Sequence, residues 1–164
     1  MLVYRKNIIL LFAVFFFNSS LHAQGKKNIK TNKIKSSTEF HVLVAHEKDS
    51  TYKDTYTVFD TNGNTLEEIK YNPNGSIRKK RTYKFDGSKN KLEELEYEGT
   101  TLVKKQQYAY NANGNKILEV TYDRTNKLIK KEVFIYNKLG LKVEHKIYNG
   151  NNVLVETHKF TYKS

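Results

Sequence analysis

The chain of 164 residues contains no cysteine, no tryptophan, one proline and one methionine. Without cysteine, disulfide bonds and a thiol-linked lipid anchor are both excluded, so packing and hydrogen bonds must hold the fold together. The lack of tryptophan removes the commoner platform for stacking sugars and leaves 12 tyrosines and 9 phenylalanines. Nucleophilic catalysis would require Ser or Thr beside a His and an acid, and the sequence shows no such motif.

Acidic residues are also few, because 17 Asp and Glu stand against 29 Lys and Arg, for a formal net charge of +12. A basic surface favours anionic glycans, acidic lipid headgroups or nucleic acid. The alternative interpretation is that the lysines keep a β-rich surface soluble and its edges unpaired. Since the lysines are spread along most of the chain, nucleic acid is the least favoured of these partners.

The first residues have the pattern of a secretory signal. Arg5 and Lys6 precede an apolar run at 8–17, and a short polar segment ends at Ala23. The run is too short for a membrane-spanning helix, which needs about 20 apolar residues. We therefore predict a signal peptide at 1–23, a basic flexible leader at 24–38 and one repeat domain at 39–164. The exported chain would be periplasmic or extracellular and would not span a membrane; an uncleaved anchor is the alternative.

Aromatic residues repeat along the rest of the chain with a period of 25 or 26 residues. Two interleaved series carry this period: Phe59, Phe85, Tyr110, Tyr136 and Tyr162, and Tyr71, Tyr97, Tyr122 and Tyr148. Each half-repeat has the length of one strand and one turn. The sequence therefore predicts an all-β fold, an antiparallel up-and-down meander of about ten strands forming an open twisted sheet, with a closed soluble barrel as the alternative.

A recurring turn joins the predicted strands. In Asn72-Pro73-Asn74-Gly75 the first Asn can bond its own backbone, Pro presets the next φ, and Gly accepts the left-handed conformation that closes a type I turn with a bulge. The same template covers 60–63, 111–114, 123–126 and 137–140. The turn after Phe85 is expected to be one residue longer, and the turn after Tyr97 one residue shorter.

The turn also sets the predicted pairing of the strands. With Tyr122 opposite Leu128, uninterrupted alternation would place both aromatic series on one face of the sheet. The expected cross-strand pairs then include Val120 with Lys130, Tyr108 with Leu118 and Glu68 with Lys80.

The candidate site is a row of tyrosines, Tyr71, Tyr97, Tyr122 and Tyr148, expected on alternate strands and so about 10 Å apart. Such a row could stack sugars or pack against a protein partner. Three lysines, Lys79, Lys104 and Lys130, are predicted beside it to bind anionic groups. The alternative is that the tyrosines form the core of the domain.

The motif of Tyr or Phe, then Asp or Asn, then Gly three positions later resembles the YD repeats of the rearrangement-hotspot (RHS) family. The best matches are Phe59-Asp60-Thr61-Asn62-Gly63 and the segment from Tyr122 to Leu128. Large members of that family build shells from such strands, so the resemblance implies a secreted repeat protein that presents a surface. The MORN-variant repeats, with a similar Tyr-x-x-Gly rhythm, are the alternative resemblance.

No residue pattern indicates catalysis, a cofactor or a metal. The four histidines beyond the predicted signal peptide, His41, His46, His145 and His158, lack the spacing of a metal site. The pairs Glu67-Glu68 and Glu93-Glu94 point to opposite faces of a strand and are poor acid/base candidates. We expect a non-catalytic binding protein; a self-assembling envelope element and a barrel that carries a small apolar ligand are the alternatives.

Overall fold

A computed structural model describes residues 21–44 and 49–163, with side chains from Gly25 onward. One helix precedes ten strands: α1 (Leu21–Thr31), β1 (Ser36–Leu43), β2 (Ser50–Phe59), β3 (Thr65–Tyr71), β4 (Ile77–Phe85), β5 (Lys91–Glu98), β6 (Thr101–Tyr110), β7 (Lys116–Asp123), β8 (Leu128–Tyr136), β9 (Lys142–Asn149) and β10 (Leu154–Lys159).

All ten strands belong to one sheet, in which they lie side by side in chain order and every neighbouring pair is antiparallel. The predicted all-β meander is confirmed. The sheet is open, with β1 at one edge and β10 at the other. The alternative of a closed barrel is therefore wrong, and so is the ligand cavity that such a barrel would enclose.

Most hairpin turns share one hydrogen-bond pattern. In the turn at 72–75, the Gly75 N–H donates to the Asn72 carbonyl at 2.9 Å, and the Asn72 N–H donates to the Ser76 carbonyl at 2.8 Å. The pattern recurs in the turns at 60–63, 86–89, 111–114, 123–126, 137–140 and 149–152, with φ from 58° to 81° at the last residue. The turn after Phe85 has the same length as the others, so the expectation of a longer turn is wrong: Lys89 takes the left-handed position at φ 68°. The turn after Tyr97 is shorter, with Glu98 paired to Thr101.

The Asp or Asn side chain at the first position of each turn forms hydrogen bonds with residues of the same turn. Asp60 Oδ1 accepts the N–H groups of Asn62 and Asn64, both at 2.8 Å, and Asp60 Oδ2 accepts the Asn64 side chain at 2.7 Å. These bonds outweigh the effect of partial burial and hold the pKa of Asp60 below its usual value. Asp or Asn is therefore the favoured first residue, because its side chain satisfies the amides that the turn leaves open.

A β-bulge follows each of these turns and changes the predicted pairing. Tyr122 lies opposite Leu128 as expected, but Thr121 then lies opposite Lys130, so Ile129 is an extra residue in its strand. Every later pair in the hairpin is shifted by one residue. The predicted pairs Val120–Lys130, Tyr108–Leu118 and Glu68–Lys80 are wrong; the observed pairs are Val120–Lys131, Tyr108–Glu119 and Ile69–Lys80.

The shift separates the two aromatic series onto opposite faces of the sheet, because a slip of one residue reverses the side of every side chain. We call one side the tyrosine face; it carries Tyr71, Tyr97, Tyr122 and Tyr148. We call the other side the acidic–aromatic face; it carries Phe59, Phe85, Tyr110 and Tyr136 together with Glu68, Glu94, Glu119 and Glu132. The expectation of a single aromatic face is wrong.

The sheet is a single layer along most of its length, so its burial is shallow. Val120, 9% exposed, is the buried hydrophobic residue of the described part of the chain, and Thr121 beside it is 7% exposed. Packing contacts join each strand to its sequence neighbours. Stability therefore comes from neighbouring strands stacked in a row, as in other repeat proteins.

Helix α1 differs from the flexible leader predicted at 24–38, and β1 already begins at Ser36. The helix rests on the β2–β3 turn: a Cβ built on Gly63 would lie 2.6 Å from the Lys26 carbonyl oxygen. A groove of about 670 Å³ lies between α1 and the acidic–aromatic face. Nearly all of the predicted signal peptide lies outside the described residues and stays a prediction. Within 21–44 and 49–163, no helix has the length and apolarity needed to cross a membrane.

Tyrosine hydroxyls bind consecutive hairpins on the acidic–aromatic face. The hydroxyls of Tyr110, Tyr136 and Tyr162 donate to the carbonyls of Lys91, Lys116 and Lys142 at 3.0, 2.9 and 2.7 Å, respectively. Each acceptor is the first residue of its strand, β5, β7 or β9. The tyrosines of this aromatic series therefore connect neighbouring strands by hydrogen bonds as well as by the packing of their rings.

Tyr136→Phe is expected to lower the free energy of unfolding by about 1 kcal/mol, because it deletes a half-buried hydrogen bond while keeping the ring. Urea unfolding followed by circular dichroism measures the change. Tyr97→Phe is the matched control, since the Tyr97 hydroxyl has no hydrogen bond among the described residues, and it should leave the midpoint nearly unchanged. Equal losses in both variants would contradict the proposed role of the hydroxyl.

Candidate functional site

The structure places the four predicted tyrosines in one row. Tyr71, Tyr97, Tyr122 and Tyr148 lie near the ends of β3, β5, β7 and β9, on the same face and at the same position of each repeat. Alternate strands are about 10 Å apart, so the rings form a ladder across the sheet. All four are half-buried and reachable from solvent.

A lysine from the preceding strand lies over each ring. The Nζ-to-centroid distances are 4.4 Å for Lys53 over Tyr71, 6.0 Å for Lys80 over Tyr97, 5.4 Å for Lys105 over Tyr122 and 4.3 Å for Lys131 over Tyr148. These are cation–π distances, at which the ring stabilises the ammonium without neutralising it. The site is therefore a repeated unit of one ring and one cation; we call it the Tyr–Lys row.

The lysines predicted from the sequence do not belong to this row. Lys79, Lys104 and Lys130 lie on the acidic–aromatic face. Each immediately precedes a lysine of the row, and successive side chains of a strand point to opposite faces. Lys79 and Lys104 lie 2.9 and 3.8 Å from Glu96, and Lys130 lies 2.6 Å from Glu132. Sequence reasoning missed Lys53, Lys80, Lys105 and Lys131, although they repeat with nearly the same period as the tyrosines.

The tyrosine face keeps an excess of positive charge. Its carboxylates are already paired: Glu67 with Lys80 at 2.6 Å, Glu93 with Lys84 at 2.8 Å and Glu144 with Lys146 at 2.9 Å.

Hydrogen bonds from lysine hold two of these carboxylates in the ionised form. The bond from Lys84 holds the pKa of Glu93 below its usual value, and the bond from Lys146 does the same for the pKa of Glu144. Among the described residues, neither Lys105 nor Lys131 has a carboxylate within 4.0 Å. The centre of the Tyr–Lys row is therefore open to an external anion.

The acidic–aromatic face is neutralised internally instead. Glu132 accepts bonds from Lys130 at 2.6 Å and from His145 at 2.8 Å, and the His145 ring stacks on Phe134 with centroids 4.6 Å apart. Burial opposes ionisation, but these two bonds outweigh it and lower the pKa of Glu132. This network ties β8 to β9 and leaves less charge for a ligand.

Of the remaining histidines, the two that the structure describes stack on aromatic rings. His41 stacks on Tyr52 with centroids 5.1 Å apart, and His158 stacks on His145 at 5.5 Å. The sequence position of His46 lies outside the described residues. Within the part of the chain that the structure describes, no three His, Asp or Glu side chains gather in a way that could hold a metal ion.

Comparison with known proteins identifies no family. No protein-family model matches the sequence, and no curated protein does. Three solved structures show a weak resemblance: TarM (18% identity, 81% of this chain, 22% of that chain, TM-score 0.32), a mutant of S. aureus TarM in complex with fondaparinux, α-GlcNAc-glycerol and UDP (16%, 81%, 23%, 0.31), and the GtfA/B complex bound to UDP and GlcNAc (12%, 73%, 24%, 0.30). The chain spans less than a quarter of each of them. Such TM-scores establish neither a shared fold nor a shared function.

Proposed function

We propose that this chain is an exported, non-catalytic binding module whose Tyr–Lys row binds an acidic polysaccharide of the cell envelope. The observation that carries the proposal is the fourfold repetition of a half-buried ring beneath a lysine ammonium, on one face and at one position of the repeat. The spacing of about 10 Å between units is close to the length of a disaccharide in an extended β-linked glycan.

Three of the four units offer two complementary contacts. The ammonium of Lys53, Lys105 or Lys131 binds a carboxylate or sulfate of the sugar, and the exposed edge of the ring supports the apolar C–H groups of the pyranose. Lys80 is already paired with Glu67 at 2.6 Å, so its unit offers the ring alone. A single exposed ion pair contributes only about 0.2–1 kcal/mol. Four units in register act together on one polymer, so the affinity is reached by repetition and weakens as salt screens the charges.

The turn motif that resembles YD repeats is architectural in this fold. It recurs as a hairpin turn with one hydrogen-bond pattern, and no side chain of the turns joins the Tyr–Lys row. We propose that the chain shares with that family the presentation of a β surface. Tyr71 and Tyr122 are the first residues of this motif and lie on strands, so the function then belongs to these strand residues and not to the turn that follows them.

The test is binding of the purified protein to hyaluronan, which carries one carboxylate per disaccharide, with neutral dextran as the reference polymer. Replacing Lys53, Lys105 and Lys131 by Gln should weaken binding to hyaluronan about 10-fold at low salt, since three contacts of about 0.5 kcal/mol are lost. The matched control replaces three exposed lysines away from the row by Gln: Lys89, Lys127 and Lys138. Both variants have the same net charge, and the control should bind like the wild type.

Two results would contradict the proposal. An equal loss in both variants would mean that net charge alone attracts the polymer. Unchanged binding by a folded variant with Ala at Tyr71, Tyr97, Tyr122 and Tyr148 would mean that the rings take no part. Circular dichroism of each variant decides whether a loss reflects binding or unfolding.

A further inference from the structure

We propose that copies of this chain join head to tail, with β10 of one copy pairing with β1 of the next, so that one continuous sheet extends through the assembly. Both strands lie at the open edges of the sheet, and every residue of both is exposed. Apolar side chains stand at each edge: Phe40 and Val42 are 60% and 52% exposed on β1, and Val155 is 58% exposed on β10. Exposed apolar edge strands are templates for pairing with another chain.

The number of strands gives the two edges compatible directions. Because the ten strands alternate in direction, β1 and β10 are antiparallel to each other. A copy displaced along the sheet therefore presents its β1 antiparallel to the β10 of the first copy, with the tyrosine faces of both on the same side. Every head-to-tail assembly retains one free β1 at one end and one free β10 at the other, so the contact is heterologous and can propagate.

The open hydrogen-bonding groups of β10 can be located from its bond to β9. The Phe160 N–H donates to the Val143 carbonyl at 3.0 Å, so Phe160 directs its backbone polar groups inward. Successive residues of a strand alternate in direction. Lys159 and Thr157 therefore direct their N–H and C=O groups outward, where no described strand accepts them.

The same reasoning applies to β1. The Lys35 carbonyl accepts the Phe59 N–H at 2.9 Å, so Lys35 and, by alternation, Glu39 direct their backbone groups toward β2. Phe40 and Val42 then direct theirs outward. The first edge thus offers a second set of unpaired donors and acceptors.

The repeat supplies the register of the contact independently. Each of four interior hairpins pairs one repeat position on its first strand with one repeat position on its second strand. The four pairs are Thr57–Glu68, Tyr83–Glu94, Tyr108–Glu119 and Phe134–His145. Phe160 is the next residue of the first position. Glu39 has the second position on β1, because it lies opposite Thr55 as Glu68 lies opposite Arg81. Continuing the repeat places Phe160 opposite Glu39 of the next copy.

This register agrees with the hydrogen-bond analysis. When Phe160 lies opposite Glu39 of the next copy, Lys159 lies opposite Phe40 and Thr157 lies opposite Val42. These are the residues whose backbone groups point outward on each edge. Helix α1 leaves the contact free, because it rests on Gly63, inward from β1.

The first test is sedimentation velocity of the purified protein over a range of concentrations. The wild type should form species larger than a monomer, and Thr157→Pro should sediment as a monomer, because it removes an outward N–H that β9 does not use. Thr157→Ala keeps that N–H and should associate like the wild type. A wild type that is monomeric at every concentration, or a folded Thr157→Pro protein that still associates, would overturn the proposal.

A cross-link tests the register even if the proline variant does not fold. The wild type has no cysteine, so a variant with Val42→Cys and Thr157→Cys has only the two thiols that the register places opposite each other. Their Cα atoms would be about 5.5 Å apart between copies, within the range of a disulfide. Oxidation with diamide should give a ladder of covalent multimers on a denaturing gel. The control with Leu43→Cys and Thr157→Cys is out of register and should give none; an equal ladder from both, or no ladder from either, would refute the contact.

Discussion

Gly63→Ala is expected to release helix α1 from the sheet while leaving the sheet intact. Gly63 has φ 76°, and its Cβ would lie 2.6 Å from the Lys26 carbonyl oxygen and 3.3 Å from the Lys30 nitrogen. Both neighbours are backbone atoms of α1, so the clash cannot be relieved by a side-chain rotation. An isolated helix of 11 residues is marginal in water, so α1 should unfold once it leaves the sheet.

Limited proteolysis with trypsin measures this release, because Lys26, Lys27 and Lys30 lie in α1. Gly75→Ala is the matched control: Gly75 has φ 81° in an equivalent turn, and nothing lies within 4 Å of its Cβ. Both substitutions carry the left-handed backbone cost of about 1–2 kcal/mol. Only Gly63→Ala should accelerate cleavage in α1. Equal cleavage in both variants would show that the helix does not depend on the close contact at Gly63.

The helix also shows why the segment before β1 could not be predicted. Its sequence is basic and lacks a clear apolar stripe, so local propensity favours a flexible leader. What places it is a tertiary contact with a glycine more than 30 residues later in the chain. The hairpin turns, in contrast, depend on Asp or Asn at the first position and a left-handed residue at the fourth, both of which are local and visible in the sequence.

The lysines of the site illustrate a second limit. The ring positions follow from the period alone, but the lysine beside each ring depends on whether the strand contains an extra residue after the turn. Ile129 is such a residue, and nothing in its own identity marks it as the bulge. One uncounted residue moves the prediction from Lys131 to Lys130 and from one face of the sheet to the other.

High pH is expected to unfold the sheet through the tyrosines of the acidic–aromatic face. Burial, together with the charges of Glu94 and Glu68, raises the pKa of Tyr83 to about 12, and Arg81 only partly opposes this. Burial and Glu94 also raise the pKa of Tyr108. Because the folded pKa lies above the unfolded value of about 10, the native state holds these protons more tightly than the unfolded state. Their contribution to stability is complete below pH 10 and is lost as the pH rises toward 12.

The measurement is the free energy of unfolding in urea at intervals from pH 8 to pH 12, for the wild type and for Tyr83→Phe. The wild-type curve should fall steeply above pH 10, and Tyr83→Phe should fall less steeply, because one of the protons has been removed from the linkage. The difference between the two curves therefore isolates Tyr83. Parallel curves would mean that the phenol ionises as readily in the folded sheet as in the unfolded chain, and that the acidic–aromatic face does not hold it neutral.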